Sequence, residues 1–280
     1  MTISDETPPS AARRLRRLDE RLRQRLSEWD PQWEARAADA MVDANTRRRR
    51  AGRRFTDEET FQAVVRAAIS GNTKATTIER ISSELAVPFL QFDMSAFADR
   101  PLAEVETSVN QWFLGRKAGS TGLRRTIRGI HGAAAILAQY SCGRDGAEGY
   151  FADCIADCLG VVEDAAVALG TSPKWKLPGF GVALSAELLK LLGHDICKPD
   201  RHVLRCVGAW WLVAFRRWPA RGEFTPPTAS VAELRATMLA VRDLASAANT
   251  TVNEENSVIW LAGALSGARL TTAQFEELTT

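Results

Sequence analysis

The sequence predicts an all-α protein, and three observations predict it. Apolar residues recur at three- and four-residue spacing through most of the chain, the period that lines one face of a helix. Alternating β-branched runs bounded by turn residues are nearly absent. Glycine and proline at 71, 115–122, 170–173 and 219–227 cut the periodic stretches into helix-length pieces. The chain has 280 residues, 45% apolar and 25% charged, the balance of an ordinary globular protein of one large or two small domains. No apolar run reaches the roughly 18 residues that a membrane span needs. The polar, then arginine-rich start lacks the apolar core of a secretory signal, so a cytoplasmic location is expected.

In order along the chain, Leu15, Leu18, Leu22 and Leu26 form one stripe of a first helix, with Arg14, Arg17, Arg21 and Arg25 mainly off it. Trp29 and Trp33 continue an apolar face. The run Arg47 to Arg50, with Arg53 and Arg54, reads as a basic joint. Thr56 with Glu59 three residues later spells a capping box, and Phe61, Val64, Val65, Ala68 and Ile69 give the helix behind it a buried face, ended by Gly71. Further helices are expected through Ile78, Ile81 and Leu85, then from Pro101 with Val105, Val109, Trp112 and Phe113. Others follow over 123–140, roughly 147–169, 182–192, 201–218, 230–247 and about 253–265, with a short one closing the chain. Three parts are expected: 1–55, basic helices packing with the C-terminal lobe; 56–185, a central helical domain; and 186–280, a C-terminal lobe.

Charge is uneven. Residues 1–54 hold 14 arginines against 9 acids, whereas the remainder holds 22 basic and 25 acidic residues. The segment either faces a polyanion or is a solvated helix face. Five cysteines without a repeating frame argue against a disulfide scaffold. Cys154 and Cys158 share a helical face, but no histidine lies at ligand spacing. Two small buried hydrophobes is the better reading, with no metal held by side chains.

Two segments carry the chemistry. Leu177-Pro178-Gly179-Phe180-Gly181 precedes an apolar helix. Glycines there permit positive φ and leave no side chain between backbone and ligand. The following helix offers free N–H groups and a partial positive charge, a seat for phosphate that needs no lysine. A plain tight turn would read the same. One helix further on comes Lys198-Pro199-Asp200-Arg201-His202-Val203-Leu204-Arg205, where Pro199 fixes the entry and Asp200 falls at or next to the N-cap. A structural cap and a working carboxylate are both open there.

Together the two segments resemble the helix-hairpin-helix DNA glycosylase superfamily, in its monofunctional 3-methyladenine-glycosylase-II-like branch. The Leu-Pro-Gly-x-Gly hairpin is followed about twenty residues later by the Asp-x-His-Val-x-Arg segment of Asp200, His202, Val203 and Arg205. Phe61 to Thr73, Lys117-Ala118 and Ser257 to Leu261 extend the likeness over about 55–265. The resemblance implies a two-lobed fold with the active site in the cleft between lobes. It implies double-stranded DNA as partner, a monomer, and a flipped-out base whose N-glycosidic bond is cleaved with help from Asp200. Bifunctional members carry a Schiff-base lysine where this chain has Ala183, so an enzyme that leaves an abasic site is expected, without strand cleavage. No cysteine follows Cys206, so no iron–sulfur cluster is expected. No cofactor is required beyond a monovalent cation that hairpins of this type often hold at 177–182. The DNA contacts implied are Leu177, Gly179, Gly181, Ala183, Lys174, Lys176, Arg201 and Asn72, the last entering the gap left by the base. Trp175, Trp260 and Trp112 are candidates for the base pocket. Repair of alkylated purines, removal of hypermodified phage bases in defence, and a non-catalytic DNA-binding module all remain open.

Overall fold

The computed structural model describes residues 8–40, 43–71, 73–144, 146–217 and 228–265. Asn72, the loop at 219–227 and the closing helix expected after 265 lie outside the described residues. Fourteen α-helices and no strand occur among the described residues: α1 (Pro8–Trp29), α2 (Trp33–Ala40), α3 (Asp43–Arg50), α4 (Asp57–Ser70), α5 (Ala75–Ile81), α6 (Met94–Asp99), α7 (Leu102–Gly115), α8 (Leu123–Ser141), α9 (Glu148–Asp157), α10 (Val162–Thr171), α11 (Val182–Leu191), α12 (Arg201–Ala209), α13 (Val231–Ala248) and α14 (Val252–Leu265). The chain divides into one unit of residues 44–194 and another of 1–43 with 195–280. The boundaries expected at 55/56 and 185/186 thus fall elsewhere: 44–55 belongs with the first unit, and α11 runs unbroken through 185.

In the unit of 44–194, α4 starts as its sequence dictates. Thr56 accepts from the Glu59 backbone, and the Glu59 carboxylate accepts from the Thr56 N–H at 2.8 Å. Phe61, Val64, Val65, Ala68 and Ile69 are all buried. Phe61 is the hub of a ring cluster, its centroid 5.2 Å from Phe97, 6.4 Å from Phe89 and 6.5 Å from Phe92. The helix expected through Leu85 stops at Ile81 and gives way to two 3-10 turns, Ser82–Glu84 and Val87–Phe92. In the second, Leu90, Gln91 and Phe92 take φ of 52°, 58° and 64°. Three successive left-handed side-chain-bearing residues cost about 1 kcal/mol or more each. Burial of Phe89 and Phe92 against Phe61 offsets that cost.

The arginine joint is a set of clamps. Arg48 bridges Glu59 at 2.5 and 2.7 Å, donates to the Arg54 carbonyl and lies 4.5 Å over the Phe55 ring. Arg49 pairs with buried Glu148 and donates to the Leu192 carbonyl at 2.6 Å, while Glu148 also accepts from the Phe55 N–H. The single helix expected over 147–169 is two, α9 and α10. Leu159 and Gly160 turn left-handed between them, at φ 55° and 80°.

In the other unit, the leucine stripe of α1 packs on α13 and α14, with Leu18, Leu22 and Leu26 buried and Leu15 partly so. Trp33 is buried, whereas Trp29 is exposed. The helix expected over 201–218 ends at Ala209, and Trp211 turns left-handed at φ 57°. A capping box of Ser230 and Glu233 opens α13, and Asn249 at φ 58° closes it.

Candidate functional site

The hairpin belongs to the unit of 44–194 and is built from α10, a turn and α11. The Phe180 N–H donates to the Leu177 carbonyl at 3.1 Å, and Gly179, third in that turn, sits at φ +79°. This is a type II turn, with Pro178 at the position that favours proline and Gly179 at the one that needs glycine. The two helices approach closely because Gly170 has no side chain. A Cβ there would lie 2.7 Å from the Val182 nitrogen. The turn itself is seated on α8. A Cβ on Gly179 would lie 2.7 Å from the Gly129 Cα, and one on Gly132 would lie 3.0 Å from Pro178.

Gly181 is different. Its φ is −108°, ordinary for any residue, and nothing lies within 4 Å of where its Cβ would be. Neither the backbone nor the packing of this chain requires glycine there. Gly181 is the N-cap of α11 and brings no side-chain cap with it. A serine or aspartate would have engaged the first N–H groups of α11 internally; glycine leaves them facing outward with the positive end of the helix dipole. Gly179 and Gly181 are exposed, Leu177 is buried beneath them, and Ala183 is half-buried in the first turn of α11. Lys176 is exposed. Lys174 pairs with Asp157 and lies 4.7 Å over Trp175.

Beside the turn is a cleft of about 130 Å³ lined by Ala68, Arg125, Thr126, Gly129, Gly179, Phe180 and Leu184. Of the hairpin carbonyls, those of Leu177 and Gly181 already accept from Phe180 and Ser185. A monovalent cation there would have to share them. Among the described residues, no group of three His, Cys, Asp or Glu side chains could hold a metal ion. Cys154 is buried, its thiol pushed up to about 12 by burial, and Cys158 is its half-buried neighbour.

The carboxylate segment belongs to the other unit. Asp200 is the N-cap of α12. Its Oδ1 accepts from the His202 N–H at 2.9 Å and the Val203 N–H at 3.2 Å. The side chain is half-exposed, and Oδ2 has no hydrogen bond among the described residues. One oxygen is therefore fixed to the helix start and the other is available.

Two ties, one through the Asn256 side chain and one through the Asp195 carboxylate, hold the approach to Asp200 against α14. The Lys198 N–H donates to the Asn256 side chain, and the Asn253 N–H donates to Asp195, each at 2.9 Å. Gly263 lets α12 and α14 touch, since a Cβ there would lie 2.7 Å from the His202 carbonyl oxygen. His202 is held below the ordinary histidine range, chiefly by burial. Arg201 is exposed and contacts the His202 ring at 3.3 Å.

The three tryptophans proposed for a base pocket fare differently. Trp175 is buried, edge-on to Tyr150 at 5.1 Å, with its Nε1 donating to Asp157 at 2.9 Å; all its features serve the core of its unit. Trp112 lies under the Arg116 guanidinium at 4.1 Å, and its buried Nε1 has no partner among the described residues. Trp260 alone shares a unit with Asp200, edge-on to His202 at 5.8 Å. Sequence reasoning missed Gly170, Gly129, Gly132, Asp195 and Asn256. Gly170 was read only as a helix breaker, and the two ties join residues 58 apart in sequence.

Among the described residues, no helix is long and apolar enough to cross a membrane. Comparison of the chain with protein-family models, curated proteins and solved structures gave no match.

Proposed function

We propose that the protein is a monofunctional DNA glycosylase of the helix-hairpin-helix type, a cytoplasmic monomer acting on double-stranded DNA. The observation that carries the reading is Gly181: an exposed glycine with unremarkable backbone angles, open space at its Cβ and uncapped helix donors behind it. Such a position suits a phosphodiester that approaches the backbone from outside. The Asp200 segment supplies the chemistry. With Oδ1 held by two N–H donors, Oδ2 is oriented to stabilise positive charge on the sugar or to take a proton from an attacking water. Water bonds to the anomeric carbon, the base leaves with the electron pair of the glycosidic bond, and Asp200 carries the water proton. Ala183 offers no amine, so the product is an abasic site rather than a broken strand.

The test is incubation with duplexes carrying alkylated purines or hypermodified pyrimidines, followed by alkali. Cleavage only after alkali is expected. Release of a hypermodified pyrimidine alone would favour a role against phage DNA over repair. DNA binding with no release from any substrate would leave a non-catalytic binding module. Asp200→Asn should keep DNA affinity and lose at least about a hundredfold in excision; full activity in that variant would remove Asp200 from the mechanism. Gly181→Asp should cap α11 internally, raising stability by a few tenths of a kcal/mol while weakening DNA binding. Undiminished binding would dissociate the hairpin from DNA.

A further inference from the structure

Four arginines fall between the end of α7 and the second turn of α8, and three of them face a carboxylate. Arg116 pairs with Glu84 and Arg128 with Glu106, and Arg124 lies in the field of Glu106. Arg125 is exposed and has no ion pair or hydrogen bond among the described residues. It lines the cleft beside the hairpin together with Gly179, Phe180 and Leu184.

Its place on the helix is costly. α8 begins Leu123-Arg124-Arg125 with no acidic residue in its first turn and no side-chain cap on Gly122. Cations at a helix N-terminus oppose the dipole. An arginine kept there, unpaired, at the mouth of a cleft shared with outward-facing backbone, has the chemistry of an anion clamp. Arg125 is also one turn before Gly129, so it shares the α8 face on which the hairpin turn is seated.

We infer that Arg125 and the hairpin backbone together form a phosphodiester subsite, with the guanidinium gripping a phosphate oxygen pair that the hairpin alone would hold only through N–H groups. The inference rests on the DNA-binding reading and adds a residue to it. The guanidinium fork matches two phosphate oxygens, and the uncapped ends of α8 and α11 add positive potential without competing side chains. Thr126, the neighbouring lining residue, already donates its hydroxyl to the Gly122 carbonyl at 3.3 Å, which leaves Arg125 as the cation of the cleft.

The experiment is equilibrium binding of the full-length protein to a duplex with an abasic-site analogue, across a salt series, for wild type, Arg125→Gln, Arg125→Lys and Gly181→Asp. Arg125→Gln should bind about tenfold more weakly at about 0.1 M salt, and its slope of log affinity against log salt should shrink by about 0.9, the share of one phosphate contact. Arg125→Lys should keep the slope and lose part of the affinity, because charge remains while the fork is lost. Because Arg125 is exposed and its charge opposes the helix dipole, Arg125→Gln should melt slightly above wild type and Arg125→Lys with it, so neither loses DNA binding by unfolding. Unchanged affinity and slope in Arg125→Gln, with Gly181→Asp impaired, would overturn the subsite and leave the glycosylase reading standing. Failure of the wild type to bind DNA would overturn both. A parallel melt with inorganic phosphate separates the sources: stabilisation lost in Arg125→Gln without any change in DNA binding would assign the cleft to a small free anion and overturn the phosphodiester.

Discussion

Residues 44–194 close their core with rings, whereas the other unit closes its core over charge. In the first, Phe61 meets Phe89 and Phe92 edge to face, Phe97 packs tilted against Phe61 and Phe89, and Arg48 and Arg49 clamp the periphery. In the second, Arg23 reaches Asp19 at 2.7 Å, Glu254 at 3.3 Å and the fully buried Glu255 at 3.2 Å, all beside the leucine stripe. Burial and neighbouring Asp19 push Glu255 up to about 8, against the pull of Arg23. In the ring-cored unit, burial and Arg49 push His194 down to about 3. Glu255 and His194 therefore answer pH in opposite directions. A carboxyl raised in the folded state keeps its proton longer than the unfolded chain does, so stability falls as pH rises from about 4.5 to 8. A histidine depressed in the folded state binds its proton later, so stability falls as pH drops from about 6.5 towards 3. His202 adds an acid-side loss to the charged unit, which leaves the window between 6.5 and 8 to Glu255.

The strongest way to break this contrast is Phe61→Ala. It should destabilise the ring-cored unit by about 4 kcal/mol, with hydrogen exchange accelerating in α4 and α8 while α13 and α14 keep their protection. Equal loss in all four helices would show that the units unfold as one body. Next in size is Arg23→Leu, which strips the cation from two buried acids. A loss of about 3 kcal/mol is expected at pH 8 and clearly less at pH 5, where Glu255 is protonated; urea melts at both values decide it. Glu255→Gln should then remove most of the alkaline weakening. Between pH 6.5 and 8 the wild type should lose roughly 5 °C in the melting of this unit, and the variant little. The smallest effect is His194→Asn, which should gain about 1 kcal/mol over wild type at pH 6 and nothing at pH 8. A pH-independent change there would return His194 to a packing role.

What was legible in the sequence follows the same division between local and distant causes. The capping box at Thr56, the turn at Pro178-Gly179 and the N-cap at Asp200 are written within four residues each, and the structure has all three. The break at Leu159-Gly160 was also local, but the apolar period on either side stayed in phase and hid it. The early end of α12 at Trp210 was hidden in the same way by the apolar residues that follow. The left-handed Leu90, Gln91 and Phe92 carry no glycine to announce them; their conformation is imposed by where Phe89 and Phe92 must be buried. The arginine run read as charge alone, because Glu59, Glu148 and the Leu192 carbonyl come from separate helices. Within the candidate site, the hairpin and Asp200 were visible, whereas Arg125 and the residues that hold the site in place were not. Gly129, Gly132, Gly170, Asp195 and Asn256 act through partners that only folding brings near.

The seat of the hairpin has one more consequence. Gly129 and Gly179 meet backbone to backbone, and a Cβ on either would strike the Cα of the other at under 3 Å. Fit at such a joint has no intermediate grades, since the smallest available substituent is already too large. Directed evolution of this surface would therefore find a fixed hinge point surrounded by adjustable neighbours. Arg125 and Thr126 can be exchanged one at a time to retune what the cleft accepts, whereas the glycine pair can change only if the helix and the turn shift together.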